Sequence, residues 1–326
     1  MSFKEIFEDY KDCMEPGVLL PNINISSKEY ERLDVSKDID NFEFLKSLCR
    51  KGIKDYDINK KENKQVYYDR AKEELNILNE LGFVDYILLN WDILEFCHRN
   101  EIPTGPGRGS AAGSLVLYLI GVTKIDPVEN DLFFERFVSK SRARKIEKRG
   151  KTYLDGSLLA DIDNDIAYEH RPKVIEYIEK KHPGRTAKIL TLNTLSGKLC
   201  MKECIKIVGD LDESEASRVS DMIPKQFGKV LPLCQAYEES EDFKKWADEN
   251  EEIFSVAKGI ESLNKNTGVH PSGIAISRSK ISDICPTQKN SDGVLITGYD
   301  MNWVAELMVK FDILGLRTLS VIDDTC

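Results

Sequence analysis

The sequence predicts an α+β fold with an inserted helical lobe, and three observations support that fold class. Apolar residues between positions 67 and 99 recur at three- and four-residue steps, which is the helical period. Residues 210–258 are acidic and also helical in pattern, which predicts a separate small lobe. After Gly268 the sequence changes to short β-type runs. With 326 residues, the chain is long enough for about two domains.

The predicted elements follow in order along the chain. Residues 42–54 predict a first helix, and Gly82 divides the helical stretch of residues 67–99 into a hairpin. A loop rich in proline and glycine, residues 102–110, precedes an apolar helix that ends near Ile120. The remaining predicted elements are a strand at 158–166, helices at 172–182 and 194–208, and strands at 273–277, 294–299 and 307–313.

Charge is unevenly distributed in this acidic chain, whose formal net charge is −10. Residues 140–151 contain seven basic residues and one acid, whereas residues 238–252 contain eight acids and two lysines. A locally basic segment in an acidic protein is suited to binding a polyanion at one place. A solvated charged loop is the alternative interpretation of the same residues.

Several classes of protein are excluded. The longest apolar run, residues 115–122, is far shorter than the ~20 residues of a membrane-spanning helix. The N-terminus lacks the apolar core of a signal peptide, so we expect an intracellular protein without a membrane partner. The eight cysteines are scattered without a C-x-x-C pair, and the four histidines are dispersed. We therefore expect reduced thiols rather than disulfides or a zinc site.

The glycine-rich loop at residues 105–114 has the chemistry of a phosphate-binding loop. Its glycines let the backbone approach a ligand, and Arg108 adds hydrogen-bond donors. We expect Ser110 to cap the following helix, whose N-terminus would offer free N–H groups to an anion. The lysine of a P-loop is absent, and a helix precedes the loop where a dinucleotide fingerprint needs a strand. Phosphate binding is favoured over a purely structural turn.

Three acids, Asp161, Asp163 and Asp165, alternate along a predicted strand and so share one face. Two carboxylates about 5 Å apart repel by roughly 3 kcal/mol at an effective dielectric near 20, so water or a divalent cation must separate them. Ile166 and Pro172 stand where a calcium loop requires Gly and Glu. Magnesium suits a site of two carboxylates completed by water and phosphates. A solvated edge strand is the alternative.

Further along the chain, Lys310 and Asp312 interrupt the otherwise apolar residues 307–316. A buried aspartate is costly unless it is paired or bound to a metal, although Asp312 could instead cap a turn at Gly315. Combined with the glycine loop and the acidic strand, Asp312 matches a two-metal phosphoryl-transfer site. Such a site needs carboxylates for two Mg²⁺ ions, an anion cradle and cationic side chains.

At these motifs the sequence resembles the bacterial C-family replicative DNA polymerases, the alpha subunit of DNA polymerase III. The stretches that carry the resemblance are residues 68–105, 105–114, 126–137, 191–198, 265–270 and 310–319. The last of them is nearly identical to the family's third-aspartate motif. The motifs occur in the family's order and cover about residues 40–326.

The resemblance implies a polymerase-beta-like nucleotidyltransferase palm with an inserted helical thumb, and two Mg²⁺ ions as cofactors. The family's catalytic, metal-binding aspartates correspond to Asp161, Asp163 and Asp312, whereas Asp165 matches an extra acid without an essential role. The residues implied to bind nucleotide phosphates are Arg108, Gly109, Ser110, Arg136 and Lys310. From their charge and their place before the acidic strand, the residues predicted to contact DNA are Lys140, Arg142, Arg144, Lys145, Lys148 and Arg149.

The implied layout divides the chain into a lead-in (1–60), a first palm part (61–191), a thumb (192–258) and a second palm part (259–326). The implied function is DNA-templated DNA synthesis, in which a primer 3′-hydroxyl receives a nucleotide from a dNTP on primer–template DNA. Two features depart from the family pattern: Ala160 replaces a proline, and the linker of residues 137–161 is longer and more basic.

The chain stops before the family's fingers domain, so we expect a palm–thumb fragment or one half of a split polymerase. Its partner would then be a second polypeptide with the fingers and C-terminal domains, which could in turn contact a sliding clamp, in the cytoplasm of a bacterial or phage-infected cell. Two other functions remain open: a non-catalytic DNA-binding or assembly subunit, and a template-independent nucleotidyltransferase. Retention of all three aspartates argues against the first, and the long spacing from Ser110 to Asp161 argues against the second.

Overall fold

A computed structural model describes residues 17–138, 145–148, 150–155, 160–290 and 292–325 of the chain. The chain forms two compact units, of which the first combines the residues before Thr191 with those from His270 onward and the second is Thr191–Val269. The described helices are α1 (Ser27–Leu33), α2 (Asn41–Asp55), α3 (Lys64–Glu80), α4 (Val84–Arg99), α5 (Leu115–Leu119), α6 (Arg171–Lys181), α7 (Gly197–Ile207), α8 (Glu213–Asp221), α9 (Leu233–Glu239), α10 (Glu241–Glu249), α11 (Glu251–Ile260), α12 (Met301–Leu307) and α13 (Arg317–Thr325). The described strands are β1 (Lys145–Lys148), β2 (Lys151–Leu154), β3 (Asp163–Ala167), β4 (Thr186–Thr194), β5 (Lys225–Gln226), β6 (Lys229–Val230), β7 (Asn264–Ile276), β8 (Thr287–Lys289), β9 (Leu295–Asp300) and β10 (Val309–Leu316).

The largest sheet of the described residues is mixed and six-stranded, with the strand order β3-β10-β7-β4-β9-β8. β3 pairs with β10 in parallel, and β4 pairs with β9 in the same way. β10 and β7 are antiparallel, as are β8 and β9. Helices and a mixed sheet therefore coexist in one chain, which confirms the predicted α+β class.

The helical hairpin of α3 and α4 supplies much of the core of the first unit. Gly82 adopts a φ of +77° between the two helices, a conformation that glycine reaches without steric cost. Ten of the sixteen residues of α4 are buried, which makes it a central helix. Its Trp91 ring packs against Phe44 of α2 at 5.5 Å, and its Tyr86 ring packs against Phe311 of β10 at 5.7 Å. This packing anchors β10, the strand that carries Asp312.

The second unit has its own hydrophobic core. Helices α7 to α11 surround the buried side chains of Met201, Phe243, Trp246 and Phe254. The rings of Phe243 and Phe254 meet edge to face, with their centroids 5.7 Å apart. Residues 192–258, the predicted thumb, belong to this unit, and its identity as a thumb stays a prediction.

Some predicted elements agree with the structure and others differ from it. The helical hairpin and the helices at 42–54 and 172–182 are confirmed. The acidic strand was predicted from residue 158, but β3 begins at Asp163 because its pairing with β10 starts there. The apolar helix that was predicted to end near Ile120 is the short helix α5, and a 3₁₀ turn at Gly109–Gly113 precedes it. The β1–β2 hairpin and strand β4 were not predicted.

Within the described residues, no helix combines the length and the apolar character that crossing a membrane requires. The described cysteines are not paired in disulfides. Buried thiols are those of Cys49, Cys97, Cys200, Cys204 and Cys285, and Cys234 is exposed.

Candidate functional site

Three carboxylates converge at the edge of the sheet where β3 begins. In the parallel pairing of β3 with β10, Asp163 lies directly beside Asp312. Asp161 lies two residues before Asp163, on the extended segment that leads into β3. Carboxylate oxygens of these three residues all lie within 4.8 Å of one another, a grouping that can hold a metal ion. We call these three residues the acidic cluster.

The cluster concentrates negative charge in a partly buried place. Asp312 is only 7% exposed, and Asp161 borders a cleft of about 150 Å³ that is also lined by Tyr86, Met308 and Lys310. Burial raises the pKa of Asp161, and the charges of Asp312 and Asp163 raise it further while Lys310 lowers it. Within 4.8 Å and at an effective dielectric near 20, each carboxylate pair repels by at least roughly 3.5 kcal/mol. A bound divalent cation would relieve this repulsion.

Lys310 is the cation built into the same strand. Its Nζ donates a hydrogen bond to Oδ2 of Asp312 at 2.7 Å. Partial burial acts to lower the pKa of Lys310, but the bond to Asp312 and the charges of Asp161 and Asp163 raise it above the usual value. Lys310 therefore carries a firm positive charge beside the cluster, where it offsets part of the repulsion.

The glycine loop is attached to the outer edge of β3, which brings it close to the cluster. The Gly105 N–H donates to the backbone oxygen of Asp165 at 2.9 Å, and Thr104 forms a bridge to Ile166. A Cβ at position 105 would lie 2.7 Å from the Cβ of Asp165, so a residue larger than glycine cannot approach as closely. Glycine at this position thus allows the loop to lie against the strand.

The predicted cap of the helix after the loop is wrong. Ser114, not Ser110, is the N-cap of α5, and its hydroxyl accepts a hydrogen bond from the first turn of that helix. The N–H groups of Leu115 and Val116 both donate to the carboxylate of Glu74 at 3.0 Å. Because the buried carboxylate of Glu74 already occupies the positive end of α5, that helix N-terminus offers no free site for a ligand anion.

A 3₁₀ turn, Gly109–Gly113, precedes that helix. The first N–H groups of such a turn lack partners within it, which suits Gly109 and Ser110 to phosphate. Gly109 has a φ of +66°, and no described atom lies within 4 Å of its ideal Cβ position. The turn packs against the turn Phe134–Arg136, and the exposed Arg136 thereby lies on a neighbouring segment.

Arg108 precedes this turn and contacts the acidic strand directly. Its guanidinium lies 3.0 Å from Oδ1 of Asp165 and 3.5 Å from Oδ2 of Asp163. Burial raises the pKa of Asp165, whereas the charge of Arg108 lowers it and that of Asp163 raises it. The structure thus links the glycine loop to the cluster through one arginine.

The predicted DNA-binding segment is described only in part. Lys145 and Lys148 lie on β1, which is mostly exposed and pairs antiparallel with β2, and Nζ of Lys145 lies 3.8 Å from Glu147. Outside the described residues lie the other predicted DNA-binding positions, Lys140, Arg142, Arg144 and Arg149. Contact between this segment and DNA stays a prediction.

Two polar residues near the cluster were not predicted. The hydroxyl of Ser272 donates to Oδ1 of Asp312 at 3.4 Å and also lies 3.4 Å from Nδ1 of His270. Tyr86, only 2% exposed, lines the cleft beside Asp161. Ser272 closely follows the motif at residues 265–270, which is a signal in the sequence, whereas Tyr86 looks like any apolar position of a buried helix.

Three convergent carboxylates, an adjacent glycine loop and two cationic side chains define the class: an α+β domain with a candidate site for divalent cations and phosphates. Within that class, the chain belongs to the family described as the bacterial DNA polymerase III alpha NTPase domain, whose model matches residues 43–315. This match confirms the family resemblance seen in the sequence.

Curated relatives agree with the family. The chain is 36% identical to DNA polymerase III subunit alpha of Pseudomonas aeruginosa over 287 residues, which cover 86% of this chain and 23% of the relative. It is 31% identical to the Bacillus subtilis subunit over 286 residues, covering 86% and 24%, respectively. For the Ureaplasma parvum subunit the identity is 33% over 294 residues, covering 89% and 29%. The chain thus spans about a quarter of the length of these relatives.

Proposed function

We propose that this chain is the palm–thumb portion of a DNA-templated DNA polymerase that transfers a nucleotidyl group from a dNTP to a primer 3′-hydroxyl. The observation that carries the proposal is the convergence of Asp161, Asp163 and Asp312 within 4.8 Å, next to a glycine loop attached to the same strand. Because the chain spans about a quarter of its relatives, we propose this activity for a complete enzyme in which the chain takes part.

The donor set suits divalent cations such as Mg²⁺. All the clustered ligand atoms are carboxylate oxygens, the hard donors that Mg²⁺ prefers, and the raised pKa of Asp161 reflects burial and repulsion that a cation would relieve. Asp161, Asp163 and Asp312 would hold two cations. Cations held there would lower the pKa of the primer hydroxyl and offset charge on the triphosphate.

The protein's own groups would hold and orient the triphosphate. The N–H groups of Gly109 and Ser110 would donate to phosphate oxygens, and no described atom lies within 4 Å of the ideal Cβ position of Gly109. Arg108, Arg136 and Lys310 would offset the negative charge that develops on the phosphates during in-line attack. Ser272, through its bond to Asp312, would keep that carboxylate oriented.

DNA contacts follow from the same proposal. The helical unit Thr191–Val269 would hold the duplex product by contacts with the sugar–phosphate backbone of the DNA, without reading the DNA sequence. The basic residues of 140–151 would contact phosphates near the acidic strand. Fingers carried by further polypeptide would position the incoming base, and a sliding clamp would be reached through that polypeptide.

Primer extension tests the proposal. The purified chain is assayed with Mg²⁺ and dNTPs, alone and with a polypeptide that carries the fingers of a relative, on templated and untemplated primers. We expect templated extension with the added polypeptide, little without it, and none for Asp163→Asn. Asp131→Asn is the matched control, since Asp131 is exposed and asparagine also tolerates its φ of +49°.

The other outcomes separate the alternatives. Extension without a template would contradict the proposal and favour a template-independent nucleotidyltransferase. Absence of extension in every mixture, with DNA binding retained, would contradict it in favour of a non-catalytic assembly subunit.

A further inference from the structure

Arg108 lies between two carboxylates that differ in their surroundings. Its Nη2 is 3.0 Å from Oδ1 of Asp165, whereas its Nε is 3.5 Å from Oδ2 of Asp163. The Asp165 side chain is 7% exposed and that of Asp163 is 29% exposed. The shorter contact therefore goes to the more buried carboxylate, which does not belong to the acidic cluster.

Asp165 is held firmly in its place. Its backbone pairs with Leu314 of β10 and accepts the N–H of Gly105 on the other side. Gly105 also approaches its Cβ so closely that no side chain would fit between them. Oδ1 of Asp165 is buried and accepts no hydrogen bond of good geometry among the described residues, so the nearby charge of Arg108 is its main compensation.

A guanidinium paired with Asp163 would compete with a divalent cation for the same carboxylate. One arginine charge cannot fully neutralise two carboxylates. Pairing with the closer and more buried carboxylate therefore weakens the attraction between the arginine and the other one. We propose that Asp165 is a positioning residue that draws Arg108 away from Asp163 and so keeps Asp163 available to a divalent cation. This inference rests on the proposed function only in assuming that the cluster binds such a cation.

The proposal predicts opposite behaviour for two variants. In Asp165→Asn, Arg108 loses its closer charged partner and turns to Asp163, so cation affinity falls by about fivefold, which corresponds to one partly exposed ion pair. In Arg108→Gln the competing guanidinium is absent. Because Asp165 already holds it mainly away from Asp163 in the wild type, the affinity for the cation changes by less than about twofold. The double variant regains affinity to within about twofold of the wild type.

The experiment is a Mn²⁺ titration of the purified 326-residue chain and its variants, with free Mn²⁺ followed by electron paramagnetic resonance. Thermal melts check that each variant is folded, and Asp131→Asn controls for the loss of one negative charge. A purely electrostatic effect of Asp165 would weaken binding by the same factor with and without Arg108. Recovery of affinity in the double variant, together with an unchanged affinity in Arg108→Gln alone, is therefore the outcome that a general charge effect or a merely structural role does not produce.

Each remaining result has a distinct meaning. Equal weakening by Asp165→Asn in both backgrounds overturns the inference and leaves the proposed function intact. Tightening by fivefold or more in Arg108→Gln alone also overturns it, and the thermal melt of this variant shows that it is folded without the charge beside Asp165. If the wild type binds Mn²⁺ no better than Asp161→Asn, the cation site itself fails, and the proposed function fails with it.

Discussion

Replacing Asp312 with asparagine separates the chemistry of the acidic cluster from its stability. The substitution keeps the shape of the side chain and an oxygen that can accept from Ser272. It removes one of three convergent carboxylates and the charged partner of Lys310. We expect nucleotide incorporation and tight cation binding to be lost while the fold survives.

The size of the stability effect follows from the distances. Asp312 repels Asp161 and Asp163, which both lie within 4.8 Å of it, each by at least roughly 3.5 kcal/mol at an effective dielectric near 20. It attracts Lys310 by about 6 kcal/mol at 2.7 Å under the same assumption. These effects nearly cancel, so the free energy of unfolding without divalent cation should change by about 1 kcal/mol or less.

Urea denaturation in a chelating buffer measures this change, and Mn²⁺ titration measures the loss of binding. Asp131→Asn serves as the control in both measurements. Destabilisation above about 3 kcal/mol would show that Asp312 is chiefly a structural partner of Lys310. Unchanged Mn²⁺ affinity would refute its role as a ligand.

Three further predictions concern the surroundings of the cluster. Gly105→Ala should lower the free energy of unfolding by about 1–3 kcal/mol, because its Cβ would lie 2.7 Å from that of Asp165; urea denaturation checks this, and an unchanged midpoint would contradict it. Since burial and neighbouring carboxylates raise the Asp161 pKa above its usual 3.8, the folded state binds this proton more tightly, and the contribution of Asp161 to stability should fall as pH rises from that value. Without divalent cation, Asp161→Asn should therefore be more stable than wild type at pH 7, by a margin that shrinks toward pH 4; a constant margin would contradict the shift. Neutralising four basic residues within 140–151 should weaken primer–template binding and flatten its dependence on salt, by about 0.9 in logarithmic slope per lost phosphate contact, whereas an unchanged slope would indicate a solvated loop.

Local patterns predicted much of the fold. The helical period and Gly82 predicted α3 and α4 closely, because both signals lie within the elements themselves. The two-residue spacing of Asp161 and Asp163 placed both on one face, and both belong to the convergent cluster. The structure places Asp312 in the same cluster, whereas its position in an apolar run of the sequence left a turn cap open as an alternative.

Other features depend on contacts between distant residues and were not predictable from local patterns. The parallel register that sets Asp312 beside Asp163 is a property of two strands far apart in the sequence. Ser114, the N-cap of α5, donates its hydroxyl to Glu74, which lies 40 residues earlier in the sequence. Local patterns do not show this contact, and they favoured Ser110 as the cap. The double contact of Arg108 likewise requires the loop to lie against β3.

Anomalous diffraction is the most direct test of the cation site. Crystals of the chain, within an assembly that binds primer–template DNA and an incoming nucleotide, are soaked with Mn²⁺ and measured at the manganese edge. We predict anomalous peaks among the carboxylates of Asp161, Asp163 and Asp312, with the triphosphate against Gly109 and Ser110. Peaks elsewhere, or none with the nucleotide bound, would contradict the assignment of these aspartates.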